Sequence, residues 1–99
     1  MNKNSTESEV FAALKSIIVE ALRIDPAKIE LGSRIFDDLG AESIDILDIR
    51  FRIEYAIGFK LEEGEIIRSL GEGLDNNQIR EKLTVGSLAA FIRNRLQQA

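Results

Sequence analysis

Apolar residues recur every three or four positions along most of this chain, and that spacing restricts what the chain can fold into. The first such segment contains the apolar residues Val10, Phe11, Leu14, Ile17, Ile18, Ala21 and Leu22. Thr6 and Glu9 stand three residues apart just before this segment, which is the spacing of a capping box with Thr6 as the N-cap. The pattern predicts a first helix from about Ser5 to about Arg23. No stretch alternates apolar and polar residues over a useful length, so the sequence predicts an all-α fold.

A second periodic segment predicts a helix from about Ser43 to Ile57, with Gly58 as the residue that ends it. Its apolar residues form two stripes on opposite sides of the helix. The isoleucine stripe consists of Ile46, Ile49, Ile53 and Ile57, and the second stripe consists of Ile44, Leu47, Phe51 and Tyr55. We expect the isoleucine stripe to face the core. The second stripe then needs a covering of its own, which is a partner, a ligand or another part of the chain.

A long loop is predicted between these two helices, from Ile29 to Glu42, after a turn that starts at Asp25 and Pro26. Its expected anchors in the core are Ile29, Leu31, Ile35, Phe36 and Leu39. A loop of this length is uncommon inside a small domain, and its length is a hint of function.

Short helices are predicted over Glu62–Leu70 and Asp75–Leu83, because Gly71 and Gly73 interrupt the pattern between them. Thr84 is expected to cap the last helix. Segment 62–83 has too many apolar residues for a free linker. We therefore expect it to lie against the C-terminal half of the second helix and to cover Phe51 and Tyr55. It is either a gate that moves to admit a long acyl chain or a static cap that completes the core.

The amino-acid composition of the chain excludes several classes of function. The chain has 99 residues, no His, no Cys and a net charge of −4. One domain over residues 1–99 fits that length, and the absence of cysteine leaves a cytoplasmic location as the default. An acidic chain is a poor ligand for nucleic acid, and no apolar run approaches the length of a membrane span. We expect no signal peptide, no stable membrane insertion and no metal site, since the acidic run Asp37–Ser43 lacks the order of a calcium loop.

Ser43 is the residue that most suggests chemistry, because it stands at the start of a strongly patterned helix, after Gly40 and Ala41. Serine is favoured as an N-cap, and that role alone would explain it. Without His or Cys, no imidazole is available to activate it as a nucleophile. We therefore predict no catalytic residue in this chain, and Ser43 as the substrate of another enzyme.

The run Asp38–Asp45 resembles the signature of acyl carrier proteins, in which a serine carries a 4′-phosphopantetheine arm. The order of helices, the loop phrase Ile24–Ile29 and the Thr84–Val85 start of the last helix are similar to that family over nearly the whole chain. The resemblance implies a small four-helix-bundle-like carrier fold. It has a long loop between helices one and two and an extra short helical segment, about 62–83, before the last helix.

The resemblance also implies a function. A phosphopantetheinyl transferase would join the arm from coenzyme A to Ser43, flanked by Gly40, Glu42 and Ile44. The arm would carry acyl groups as thioesters to partner enzymes, and the protein would not be an enzyme itself. The partner-docking residues implied by the family are Asp38, Asp45, Leu47, Asp48 and Phe51.

The implied partners are an acyl-ACP synthetase, a ketosynthase or an acyltransferase of fatty-acid, lipid or polyketide biosynthesis, acting on a monomeric carrier. The extra 62–83 segment is similar to that of specialised carriers for very long or lipid A acyl chains. Arg50 and Arg52 depart from the acidic second helix of ordinary fatty-acid carriers and would repel an Arg/Lys docking cluster. The alternative is a carrier-like helical protein-interaction domain that is never modified.

Overall fold

Five α-helices make up the fold in the computed structural model, which describes residues 1–98. They are α1 Glu7–Leu22, α2 Ser43–Ile57, α3 Glu65–Ser69, α4 Asn76–Lys82 and α5 Val85–Gln98, with a short 3-10 helix at Pro26–Lys28. Extended pairing within residues 1–98 is limited to one isolated antiparallel bridge between Arg34 and Thr84. The predicted all-α carrier layout is confirmed, with three long helices and two short ones between α2 and α5.

Helix α1 begins with the predicted capping box. The Glu9 backbone N–H donates to Thr6 Oγ1 at 3.2 Å, and the Thr6 N–H donates to Glu9 Oε1 at 2.8 Å. Each contact satisfies a backbone donor that the first helical turn leaves free. Helix α1 ends at Leu22 because Arg23 adopts a left-handed conformation with φ of 55°.

The core lies where α1 packs against both α2 and α5. Ile49, Ile53 and Ile57 are buried there, and Ile46 packs against them from a partly buried position. The isoleucine stripe therefore faces the core as predicted. Helix α2 ends where predicted, at Gly58, whose φ is 87°.

The loop before α2 is held by buried side chains and by the backbone of the last helix. Ile29, Ile35 and Leu39 are buried as expected. The prediction that Leu31 anchors the loop is wrong, because its side chain is 56% exposed. Its carbonyl oxygen accepts the Gly86 N–H at 2.7 Å instead, so the backbone holds this part of the loop.

Two more backbone hydrogen bonds complete this attachment. The Ile35 N–H donates to the Leu83 carbonyl at 3.0 Å, and the Val85 N–H donates to the Ser33 carbonyl at 2.9 Å. Residues 31–35 thus run beside residues 83–86, the junction of α4 and α5. The position of the loop, and of the start of α2 beyond it, depends on the C-terminal part of the chain.

The two predicted short helices are present, but they do not lie where we expected. Helix α3 packs on α5 through the buried Ile66 and an ion pair between Glu65 and Arg95. Phe51 remains 52% exposed and Tyr55 92% exposed. The prediction that segment 62–83 covers Phe51 and Tyr55 is therefore wrong, and α3 packs against α5 instead.

Candidate attachment and docking site

Ser43 is the first residue of α2, and Glu42 is the N-cap. The helix therefore begins at Ser43 as predicted, and the N-cap role that alone would have explained Ser43 belongs to Glu42. Asp45 accepts the Glu42 N–H through Oδ2 at 2.8 Å, which is the capping-box contact expected when Glu42 is the N-cap. As a result, the Ser43 hydroxyl is not used to cap α2.

The Ser43 side chain is exposed, and within residues 1–98 its hydroxyl has no hydrogen-bond partner. Three other serines differ from it. Ser33 is buried and its Oγ accepts a backbone N–H at 3.0 Å. Ser69 and Ser87 donate their hydroxyls to backbone carbonyls at 2.5 and 2.8 Å. Ser43 is thus presented to solvent with its hydroxyl available for reaction.

A tight turn delivers the chain to Ser43. Gly40 has a φ of 77°, a left-handed conformation that L side chains rarely adopt. The next N–H, that of Ala41, donates to the Ile35 carbonyl at 3.1 Å, and Ala41 itself is buried. Glu42 and Ile44 flank Ser43 as exposed residues, and Ile44 is 71% exposed. The turn therefore places Ser43 directly beyond a fixed point in the core.

Asp38 and Asp37, which precede the turn, each bind an arginine. Arg34 donates its backbone N–H to Asp38 Oδ2 at 2.7 Å and its Nη2 to Asp38 Oδ1 at 3.0 Å. These hydrogen bonds and the positive charge lower the pKa of Asp38 and raise the pKa of Arg34. Arg80 of α4 donates to Asp37 at 2.8 Å. Arg34 also lies 3.8 Å from Asp37, so both carboxylates are engaged by arginines of this chain.

The second stripe of α2, which consists of Ile44, Leu47, Phe51 and Tyr55, begins directly after Ser43 and is exposed to solvent. We call it the exposed stripe. The exposed fractions of its side chains are 71% for Ile44, 44% for Leu47, 52% for Phe51 and 92% for Tyr55. Residues 1–98 do not supply the second covering that this face needs. Of the other expected docking residues on α2, Asp45 binds the Glu42 N–H and Asp48 pairs with Arg52 at 3.1 Å.

Sequence reasoning missed the arginines that bind these carboxylates. The pairing of Arg34 with Asp38 has a local signal, because residues four apart can meet in a turn of this kind. The pairing of Arg80 with Asp37 spans 43 residues and has no such signal. Arg50 stacks over the Phe51 ring at 5.0 Å, which periodicity alone could not show.

Other parts of the described chain offer no competing site for Ser43 chemistry. A cleft between α1 and α5, lined by Phe11, Leu31 and Ala89 among others, contains none of the expected site residues. Within residues 1–98, carboxylates do not gather in threes at metal-binding range. None of the helices in that range combines the length and apolarity that a bilayer crossing requires.

The sequence is similar to proteins of a known family. Residues 12–72 match the family model described as the phosphopantetheine attachment site. The chain is 29% identical over 93 residues to an acyl carrier protein of Thermotoga maritima, covering 93% of this chain and 98% of that one. It is 30% identical over 82 residues to an acyl carrier protein of Petrotoga mobilis, covering 81% and 94%. It is 37% identical over 65 residues to one from Clostridium acetobutylicum, covering 64% and 84%.

The matched residues 12–72 include the turn at Gly40 and residue Ser43. Acyl carrier proteins carry acyl groups and are not enzymes themselves. The chain therefore belongs to the acyl carrier protein family, and its cofactor is phosphopantetheine.

Proposed function

We propose that Ser43 is the residue to which the phosphopantetheine arm is attached, and that the acyl thioester forms at the end of that arm. The observation that carries this proposal is the exposed, unoccupied hydroxyl of Ser43 at the start of α2. Within the matched residues 12–72, Ser16 lies inside α1, whereas the hydroxyls of Ser33 and Ser69 are held by the backbone.

The local structure fits a phosphoester. The backbone N–H groups in the first turn of a helix lack partners inside the helix and favour a negative charge near them. Ser43 is the first residue of the 15-residue α2, so a phosphate on its Oγ would lie close to that turn. In the transfer, Ser43 Oγ bonds to the diphosphate phosphorus of coenzyme A that bears the pantetheine. The P–O bond from that phosphorus to the nucleotide breaks, adenosine 3′,5′-bisphosphate leaves, and a base of the transferase takes the hydroxyl proton.

The exposed stripe supports a docking role for α2. Leu47 and Phe51 are exposed close to Ser43, and the Asp38, Asp45 and Asp48 carboxylates lie near them in sequence. A phosphopantetheinyl transferase and biosynthetic enzymes are the partners of the family. For this chain we infer an acyl-ACP synthetase, a ketosynthase or an acyltransferase as the biosynthetic partner.

The same proposal covers the organisation of the chain. Residues 1–99 form one carrier domain that acts as a monomer, with 62–83 as an extended segment before the last helix. Because the arm comes from coenzyme A, we infer a cytoplasmic location. The acyl group is that of fatty-acid, lipid A or polyketide biosynthesis.

Intact-mass spectrometry tests the attachment point. Incubated with coenzyme A and a broad-specificity transferase, the wild-type chain should gain the mass of one phosphopantetheine, and Ser43→Ala should gain none. Ser16→Ala, which removes an exposed serine from α1, is the matched control and should be modified like the wild type. Modification of Ser43→Ala would refute the assignment. An unmodified wild-type chain would favour an interaction domain that never carries the arm.

A further inference from the structure

We propose that a set of ion pairs holds the turn before Ser43 against α4 and thereby positions the serine for attachment of the arm. Arg34 and Arg80 are its two positioning residues, and they act through the turn without touching the arm. We call their contacts with residues 37, 38 and 81 the arginine clamp. This inference rests on the proposed function, because the clamp affects attachment only if Ser43 is the residue that is modified.

Arg34 closes the turn with both its backbone and its side chain. Its carbonyl oxygen accepts the N–H groups of Asp38 at 3.0 Å and Leu39 at 3.1 Å, and its own N–H donates to Asp38 Oδ2 at 2.7 Å. The guanidinium adds two bonds to the same carboxylate, from Nε to Oδ2 at 3.1 Å and from Nη2 to Oδ1 at 3.0 Å. A bidentate arginine–carboxylate pair fixes orientation as well as distance, so it holds the shape of the turn.

The clamp also joins the turn to α4. Arg34 Nη1 lies 3.4 Å from Glu81 Oε2 and 3.8 Å from Asp37 Oδ2. From α4, Arg80 Nη1 donates to Asp37 Oδ1 at 2.8 Å, and its guanidinium carbon lies 5.3 Å from the centre of the Phe36 ring. Isolated surface ion pairs contribute little, but bidentate pairs and networks of several charges are the exceptions. The turn is therefore held against α4 by side chains.

The start of α2 is tied closely to this turn. The Ala41 N–H donates to the Ile35 carbonyl at 3.1 Å and closes the turn. Only Glu42 separates Ala41 from Ser43. The buried residues of α2 begin at Ile49, so the first turn of the helix has little anchoring of its own in the core. A loosened clamp should therefore loosen the backbone around Ser43.

This coupling predicts which kinetic constant changes. If the transferase binds the form in which the turn is closed, its apparent affinity falls with the fraction of molecules in that form. The chemical step inside the bound complex stays the same. Loss of the clamp should therefore raise the KM for the carrier and leave kcat unchanged.

The chain offers a matched control. The side chain of Arg93 is 38% exposed, as is that of Arg34, and it pairs with Glu7 at 2.9 Å. That pair joins α5 to α1 and involves no residue of the turn. Arg34→Gln and Arg93→Gln each remove one positive charge and break an ion pair. A difference between them therefore reports the position of the arginine and not the loss of charge as such.

The kinetic test uses the full chain, coenzyme A and the broad-specificity transferase. Intact mass gives the initial rate of arm attachment over a range of carrier concentrations, and melting curves confirm that each variant is folded. Arg34→Gln should raise the KM for the carrier up to about fivefold, the range of a strong surface ion pair. Its kcat should change less than about twofold, and both constants of Arg93→Gln should stay within about twofold of the wild type. Arg80→Gln leaves Arg34 in place, so it should raise the KM about threefold and serve as the test if Arg34→Gln does not fold.

A second measurement follows the turn without the transferase. Hydrogen exchange at the Ala41 N–H reports how often the turn opens. In Arg34→Gln this amide should exchange about threefold faster or more than in the wild type and in Arg93→Gln. The amides of α1 should exchange at unchanged rates in both variants.

The inference is overturned if the KM of Arg34→Gln stays within about twofold of that of Arg93→Gln, if the loss falls on kcat alone, or if Ala41 exchange is the same in the two variants. Failure of the attachment proposal looks different. It appears as an unmodified wild-type chain or a modified Ser43→Ala chain, whatever the exchange rate of Ala41.

Discussion

The two stripes of α2 lead to a paired prediction about stability and docking. Ile53 belongs to the isoleucine stripe and is 0% exposed, whereas Leu47 belongs to the exposed stripe and is 44% exposed. Ile53→Ala should therefore destabilise the fold strongly with no direct effect on docking. Leu47→Ala should weaken docking and have little effect on the stability of the fold.

The magnitudes follow from burial. Ile53→Ala removes three buried carbon atoms, which at about 0.8 kcal/mol each gives about 2.4 kcal/mol from transfer alone. The cavity left between α1 and α2 brings the total to about 2–5 kcal/mol. Leu47→Ala removes atoms that are half solvated already, so its cost should be below about 1 kcal/mol. For a chain of this size, each kcal/mol lowers the Tm by about 4–8 °C.

Urea unfolding followed by circular dichroism at the helix band measures both free energies, and the same samples serve for transferase binding. The slope of free energy against urea should be the same for both variants, which shows that the denatured states are comparable. Equal destabilisation by the two substitutions, with binding unchanged in both, would refute the assignment of the two faces.

Three further predictions concern the turns, the charges and the short helices. Gly58→Ala should cost about 1 kcal/mol because the φ of 87° strains a side chain, whereas Gly32→Ala, which meets nothing within 4 Å and has no such φ, should be close to neutral in urea unfolding. The contacts from Arg34 lower the pKa of Asp38, so its contribution to stability is present above the ordinary value of 3.8 and is lost as the pH falls through the lower folded-state pKa. The unfolding free energies of the wild type and Asp38→Asn should therefore converge in acid, and an Asp38 NMR titration midpoint at or above the ordinary value would contradict this. Hydrogen exchange should show lower protection in residues 64–83 than in α1, with a change on acylation; equal protection in both forms would show a static cap.

Local signals in the sequence were enough to predict most of the helices. The capping box of Thr6 and Glu9, the stop at Gly58 and the cap at Thr84 depend on residues within one turn of each other, and all three are present. The bounds of α2, Ser43 to Ile57, are also those predicted, but its N-cap could not be chosen from the sequence. Glu42 and Ser43 are both candidates for the cap, and only the backward bond from Asp45 decides between them.

The placement of the short helices could not be predicted in this way. Apolar residues in 62–83 indicate that the segment packs against something, but not against what. Ile66 and Glu65 of α3 contact α5, where Glu65 meets Arg95, and Arg80 of α4 meets Asp37 of the loop. These pairs are far apart in the chain. Because the short helices lie elsewhere, Tyr55 is exposed, and the periodicity of the sequence could not predict this.

The backbone bonds between residues 31–35 and 83–86 have a consequence for the biosynthesis of this carrier. During synthesis Ser43 leaves the ribosome before residues 83–86 do, because N-terminal parts emerge first. At that time the loop that positions the start of α2 lacks its backbone hydrogen-bond partners. A nascent or truncated chain therefore contains Ser43 without the structure that positions it. A transferase that recognises Ser43 only when this loop is in place would modify completed, folded chains in preference to partial ones. Attachment of the arm would therefore act as a check on folding.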